Sequence, residues 1–188
     1  MPRAGLSRAA VVDAALAVVD ATGADGLTLA AVAGRCGVVA PSLYKHIGGL
    51  PELRTLVGHR VLDEMTDRFT RAVLGRSRDD AVAALLREYR AYAREHPARY
   101  AAMPANPLGD PASAAAGERL IGVFLAVLRG FGLSGPAAIH AIRCARALAH
   151  GFVAIELAGG FGLPEDVDDT YERLIRMYLT SLNGDTPA

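Results

Sequence analysis

From Leu53 to Val73 an apolar residue returns every four positions: Leu53, Val57, Val61, Met65, Phe69 and Val73. That period belongs to one face of an α-helix, so residues 51–74 are committed to a single rod, opened by Pro51 and stopped by Gly75. Helical patterning marks the rest of the chain too, and no stretch reads as a strand. Ser7 is placed to cap a first helix with Val11, Ala15, Val18 and Val19 on one face, ending near Gly23. Thr28 caps a second, with Leu29, Val32 and Ala33 on one side and Gly37 as its stop. Pro41 suits the first turn of a third short helix, which Gly48-Gly49 closes.

Beyond the rod, a helix runs from Asp79 or Asp80 to His96-Pro97, and a short turn covers Arg99 to Met103. Three prolines make Pro104 to Pro111 a loop. Helices over roughly 112–131 and 135–158 precede the break at Gly159-Gly160-Phe161-Gly162. A last helix from Pro164 shows Tyr171, Leu174, Ile175, Tyr178 and Leu182 on one face, and the acidic run Glu165-Asp166-Asp168-Asp169 is favourable helix-start chemistry. The expected fold is all-α, about nine helices: a three-helix head over 1–50 and a helical body over 51–188, with the long helix 51–74 connecting them.

Composition narrows the function classes. The chain has 188 residues, 52% hydrophobic and 21% charged, enough for a sizeable core and against wholesale disorder. The longest apolar run, Leu120 to Leu128, stops at Arg129, short of the roughly 18 residues of a membrane span. Up to Arg8 there is no apolar stretch of the secretory kind, so the expected location is the cytoplasm, with no membrane partner. Two cysteines, Cys36 and Cys144, are too few for a disulfide scaffold or a cysteine-built zinc site. The formal net charge of +0 argues against coating nucleic acid by bulk attraction. Residues 1–60, however, carry six Lys/Arg against four Asp/Glu, and residues 101–188 carry six against nine. A basic front and an acidic rear suit a local electrostatic footprint at one end.

The segment Thr28 to Leu53 carries the functional signal. Two short helices joined at Cys36-Gly37-Val38 are what a helix-turn-helix requires. Val32, Ala33, Val38, Leu43 and Ile47 supply the inward face, which leaves Val39, Ala40, Ser42, Lys45 and His46 pointing outward. A helix that presents small residues first can sink its N-terminal end into the major groove. Tyr44 and Lys45 then reach flanking phosphates, and the helix start capped by Thr28 can hold another. The candidate DNA-binding set is Thr28, Val39, Ala40, Pro41, Ser42, Tyr44, Lys45 and His46. A plain helical hairpin without DNA chemistry is the alternative.

The order of residues decides more than the hairpin does. Val11-Val12-Asp13-Ala14-Ala15, Gly23, Thr28, Ala33, Cys36-Gly37-Val38, Leu43-Tyr44-Lys45-His46 and Glu52-Leu53 together resemble the N-terminal domain of the TetR family of bacterial transcriptional regulators. The likeness covers residues 6 to about 60. Val39 stands where the family often has a polar residue, Leu50 where it commonly has a phosphate-gripping lysine, and Ile47 where Phe is usual. Further on, His150-Gly151-Phe152 and Glu156-Leu157-Ala158-Gly159 look like the C-terminal domain of one branch, although the tryptophan often found there is absent.

The resemblance implies a ligand-binding and dimerisation body. Ala147, Gly151, Ala154 and Ala158 place small residues on one helix face and permit close approach. With the face of Tyr171, Ile175 and Tyr178 and their symmetry mates, they are expected to form a four-helix dimer interface. Tyr89, Tyr92, Tyr100, Met103, Phe124, Phe131, His140 and Arg143 lie on helices that line a cavity in related proteins, and a mostly apolar pocket suits a small hydrophobic effector. The same aromatic stripe also reads as plain core. His140, Cys144 and His150 lack a second ligand cluster, so no metal or cofactor is expected. No catalytic triad or phosphate-cradling loop occurs, and the chain is not expected to be an enzyme. The expected function is a ligand-responsive homodimeric regulator of transcription, a repressor bound to a near-palindromic double-stranded DNA operator. The alternative is a helical small-molecule carrier or protein-interaction module whose head has lost DNA binding.

Overall fold

Helix starts and stops set the architecture, and most are written in single residues. The computed structural model describes residues 6–184; residues 1–5 and 185–188, the outer ends of the two expected domains, lie outside the described residues. Among the described residues there are eight α-helices and two 3-10 helices, and no strand. Helix α1 (Arg8–Thr22) is capped by the Ser7 hydroxyl, which accepts from the Ala10 N–H at 3.2 Å. Helix α2 (Leu29–Cys36) is capped in the same way by Thr28 and ends on Gly37 at φ +68°, in the left-handed region. The expected third short helix is a 3-10 helix, Ala40–Lys45, with Pro41 in its first turn. It is too short to propagate an α-helical ladder, and Pro41 removes one donor.

The rod is α3 (Leu50–Val73), followed by α4 (Arg78–Glu95), the short α5 (Pro97–Ala101), α6 (Ala114–Leu128), α7 (Gly135–Leu157) and α8 (Val167–Gly184). Helix α8 starts three residues later than Pro164. Asp166 makes that start, its carboxylate accepting from the N–H groups of Asp168 at 2.6 Å and Asp169 at 3.0 Å. By length and composition α7 could cross a bilayer, although it carries Arg143 and Arg146 near its middle. Its stripe Ala138, Ala141, Ile142, Ala145, Ala149, Phe152 and Val153 is buried, as in a packed core helix.

The chain packs as two compact units, Met1–Glu64 with His96–Gly117, and Met65–Glu95 with Glu118–Ala188. This partition by packing differs from the division by role at residue 50, because α5 and the loop after it fold with the front of the chain. In the first unit Val11, Ala15, Val19, Leu27, Val32, Leu43, Leu53, Val57 and Val61 form the core. Arg99 of α5 holds it from the outside, donating to Asp20 of α1 at 2.7 and 2.8 Å and to Glu64 of α3 at 3.0 Å. The hydrogen bond from Arg99 holds the Asp20 carboxyl below the usual carboxylate range.

In the second unit Met65, Phe69, Leu85, Leu86, Tyr92, Phe131, Tyr171 and Ile175 are buried. Arg90, 7% exposed, donates through Nε and an Nη to Glu156 at 2.8 and 2.6 Å and reaches Asp168 at 2.6 Å. Its guanidinium also lies 5.3 Å from the ring centre of Phe152 and 5.0 Å from that of Tyr171. One cation therefore ties α4, α7 and α8 together. Arg78 does the same elsewhere, donating to the Gly130 carbonyl and to Asn183, both at 2.9 Å.

Two stability measurements test these ties. Arg90→Ala leaves Glu156 in a half-buried site without its main partner, so denaturant titration is expected to show a loss of about 3–5 kcal/mol. Arg87→Ala removes the pair with Glu172, exposed on the arginine side, and is expected to cost under about 1 kcal/mol. The depressed Asp20 gives stability that is present above about pH 4 and is lost as acid protonates the folded carboxyl. Thermal melts from pH 7 to pH 3 are expected to fall less steeply for Asp20→Asn than for the parent chain.

Candidate nucleic-acid interface

The front of the chain supplies an exposed helical face on a buried footing. Val32, Ala33, Leu43 and Ile47 are buried and Val38 is half-buried, so the inward set falls on one side. Opposite them Val39 is 69% exposed and Tyr44 59% exposed, with Pro41 and Lys45 also exposed. Ala40, Ser42 and His46 are half-buried, on the shoulders of the same face. Thr28 is exposed at the start of α2. Its hydroxyl serves Ala31 and its carbonyl accepts from Val32, while the N–H groups of Leu29 and Ala30 have no hydrogen-bond partner among the described residues. Those two donors and the helix dipole are the physical basis of an anion site there.

The turn that aims this face is tight. The Gly37 N–H returns to the Gly34 carbonyl at 3.2 Å and the Val38 N–H to the Ala33 carbonyl at 3.0 Å. Within the 3-10 helix the Ser42 N–H meets the Val39 carbonyl at 2.9 Å, and the N–H groups of His46 and Ile47 both reach the Leu43 carbonyl. A further brace was not legible beforehand. The Glu52 carboxylate accepts from the Gly48 N–H and from the Arg8 guanidinium, joining the first turn of α1 to the turn ahead of α3. Glu52 lies four residues beyond Gly48, a helix-start spacing that could have signalled half of this, whereas Arg8 is 44 residues away in sequence. Cys36, at the end of α2, has its thiol pushed up by burial and makes a poor nucleophile.

The candidate ligand residues are divided between the two units. Tyr100 and Met103 belong to the first unit and the other six to the second. Tyr89, Tyr92, Tyr100 and Phe131 are buried, Met103 and Phe124 are half-buried, and His140 and Arg143 are exposed. Tyr89 and Phe124 each lie 5.9 Å from Phe69, stacked and edge-on respectively. In the second unit Leu85, Leu86, Phe124 and Tyr178 border a gap of about 10 Å³, the room of about one water.

The expected dimer face divides. Ala147, Ala154 and Ala158 are exposed on α7 and Gly151 half-buried, together with exposed Ile139, Ile155 and Leu157. Tyr171, Ile175 and Tyr178, by contrast, are buried within the chain itself. The Tyr171 hydroxyl donates to the Leu86 carbonyl at 2.7 Å and that of Tyr178 to the Ala141 carbonyl at 2.8 Å. Burial pushes both phenols above their ordinary range. The apolar face of α8 covers the chain's own α4 and α7, and its outward side carries Arg173, Met177 and Thr180. Among the described residues no group of three His, Cys, Asp or Glu could hold a metal.

Known proteins resemble this chain in sequence and in fold. Residues 82–178 match the family described as "Tetracyclin repressor-like, C-terminal domain". The chain is 40% identical over 167 residues to the uncharacterized HTH-type transcriptional regulator Rv0681 of Mycobacterium tuberculosis, spanning 88% of this chain and 75% of that one. It is 32% identical over 182 residues to the uncharacterized HTH-type transcriptional regulator YobS of Bacillus subtilis, spanning 96% and 95%. A solved structure of a protein of unknown function from Rhodococcus sp. RHA1 superposes with a TM-score of 0.81 at 22% identity over 97% and 99% of the two chains, a likeness of fold.

The turn can be tested without DNA. A Cβ at Gly37 would meet nothing within 4 Å, so the cost of Gly37→Ala is backbone strain alone, about 1–2 kcal/mol by denaturant titration. Gly34→Ala, inside α2 with equally open surroundings, is expected instead to stabilise by about 0.5–1 kcal/mol.

Proposed function

The chain belongs to the TetR family of HTH-type transcriptional regulators, and on that premise we propose that it is a repressor released by a small hydrophobic effector. Residues 1–50 act as the DNA-binding head and residues 51–188 as the ligand-binding and dimerisation body, in a cytoplasmic homodimer. The observation that carries the reading is the exposed face Val39, Pro41, Tyr44 and Lys45 standing on buried Leu43 and Ile47. A surface this apolar at one end and cationic at the other suits a groove floor flanked by phosphates. Ala40 and Ser42 bring no bulk to the leading edge, Lys45 and Tyr44 meet phosphates or base edges, and Thr28 presents the start of α2 to another phosphate. His46 sits at the trailing edge.

Dimerisation uses the exposed small-residue face of α7, Ala147, Gly151, Ala154 and Ala158, with the outward side of α8 beside it. Two recognition helices about 34–36 Å apart then read one turn of duplex and call for a near-palindromic operator. The effector acts as a population shift: it favours a state whose long helix 51–74 carries the heads at a spacing that the operator does not match. Since the gap beside Phe124 and Tyr178 holds only about one water, that state opens the aromatic packing of Tyr89, Phe124 and their neighbours. An apolar effector suits such an opening because it replaces ring contacts with its own.

Fluorescence anisotropy with duplexes from the flanks of the chain's own gene tests the reading. Specific binding is expected to weaken steeply with salt. Tyr44→Ala and Lys45→Ala are expected each to cost about 1–3 kcal/mol, and Lys45→Ala to reduce the salt slope by about 1. Absence of any specific duplex would favour a carrier or protein-interaction module, and unchanged affinity in both variants would remove them from the interface.

A further inference from the structure

A concave space bordered by both a cation and an anion that have no partner among the described residues lies in the first unit. Val19 of α1, the turn residues Ala24, Asp25 and Leu27, Arg54 and Val57 of α3, and Ala102 enclose a cavity of about 240 Å³. A second of about 230 Å³ adjoins it, sharing Arg54 and Ala102 and lined further by Thr55, Asp110 and Ser113. The first is a cleft half open to solvent and offers far more room than the gap of about 10 Å³ in the second unit.

Its chemistry is asymmetric. Val19, Leu27 and Val57 are buried and give an apolar wall. Arg54 and Asp25 border the same cavity, and neither makes a hydrogen bond or ion pair among the described residues, whereas Arg8, Arg60 and Arg99 of this unit are all paired with carboxylates. In the adjoining lobe the polar groups are already engaged: Ser113 donates to Asp110 at 2.9 Å and lies 3.1 Å from a ring nitrogen of His59. That leaves one free guanidinium and one free carboxylate at the rim of an apolar hollow. A simple anion would gain from Arg54 and lose to Asp25. A molecule carrying both charges gains from each.

We infer that this cleft binds a small zwitterion with an apolar tail, of which an apolar α-amino acid is the simplest example. The ligand carboxylate pairs with Arg54, its ammonium group with Asp25, and its tail packs on Val19, Leu27 and Val57. The inference goes beyond the proposed function and does not require DNA binding. Its lining residues and its chemistry differ from those of the proposed apolar effector space.

Thermal unfolding of the full chain with 10 mM L-leucine, 4-methylpentanoate or 3-methylbutylamine at equal ionic strength is the test. Leucine is expected to raise Tm by about 3 °C or more, and each singly charged analogue by less than about 1 °C. Arg54→Ala and Asp25→Asn are expected to remove the leucine shift, as is Ala102→Phe, which fills the cleft from the side shared by both lobes. Helix content by circular dichroism confirms that each variant is folded, and since Arg54 and Asp25 are exposed, their replacement leaves the core untouched. No leucine shift, equal shifts from the analogues, or a shift that survives both charge variants overturns the inference.

Discussion

A six-residue 3-10 helix makes too few hydrogen bonds to hold itself together in water, so the face proposed to meet DNA exists only through what it buries. Leu43 and Ile47 are the anchors, seated in the core that Val32, Ala33 and Leu53 complete. Gly37 sets the angle at which the anchored segment leaves α2, and the Glu52 carboxylate fixes its exit by taking the Gly48 N–H. Stability and recognition are thus opposite sides of the same few residues. Removing an anchor would scatter Tyr44 and Lys45 without touching either.

The body is held by a different economy of forces. Phe69, Tyr89 and Phe124 satisfy one another at centroid distances near 6 Å, and the tyrosine hydroxyls of α8 end on backbone carbonyls. Arg90 binds two carboxylates between two rings. Such a core carries little slack. Any molecule entering it must displace packing of comparable quality.

How much of this was legible from residues follows from how local each cause is. Ser7, Thr28, Gly23 and Gly37 act on backbone within four positions, and their helices begin and end where the residues indicate. The front face was legible for the same reason, since one short segment contains both its anchors and its exposed residues. Periodicity reveals that the Tyr171–Leu182 stripe is covered, but not by what. The covering surface is the chain's own α4 and α7, which a partner would have mimicked in sequence. Ties such as Arg90–Glu156 and Arg99–Asp20 join positions 66 and 79 apart, and a charge carries no mark of its mate. Chain order groups residues 96–117 with the body because they follow the long helix, while contacts such as Arg99 with Asp20 pack them in the first unit.

The brace at Glu52 bears on how tightly this chain can hold a polyanion. Arg8 is tied through Glu52 to Gly48, where the 3-10 segment ends, and its guanidinium is already occupied by a carboxylate of the same molecule. A phosphate approaching that corner would compete with Glu52 for it, exchanging one oxyanion for another and gaining only the difference. Tallying basic side chains at this end would overstate the number of counterions displaced from the duplex. The grip would be weaker and less sensitive to ionic strength than the tally suggests, which leaves discrimination among sequences to the fit of the groove.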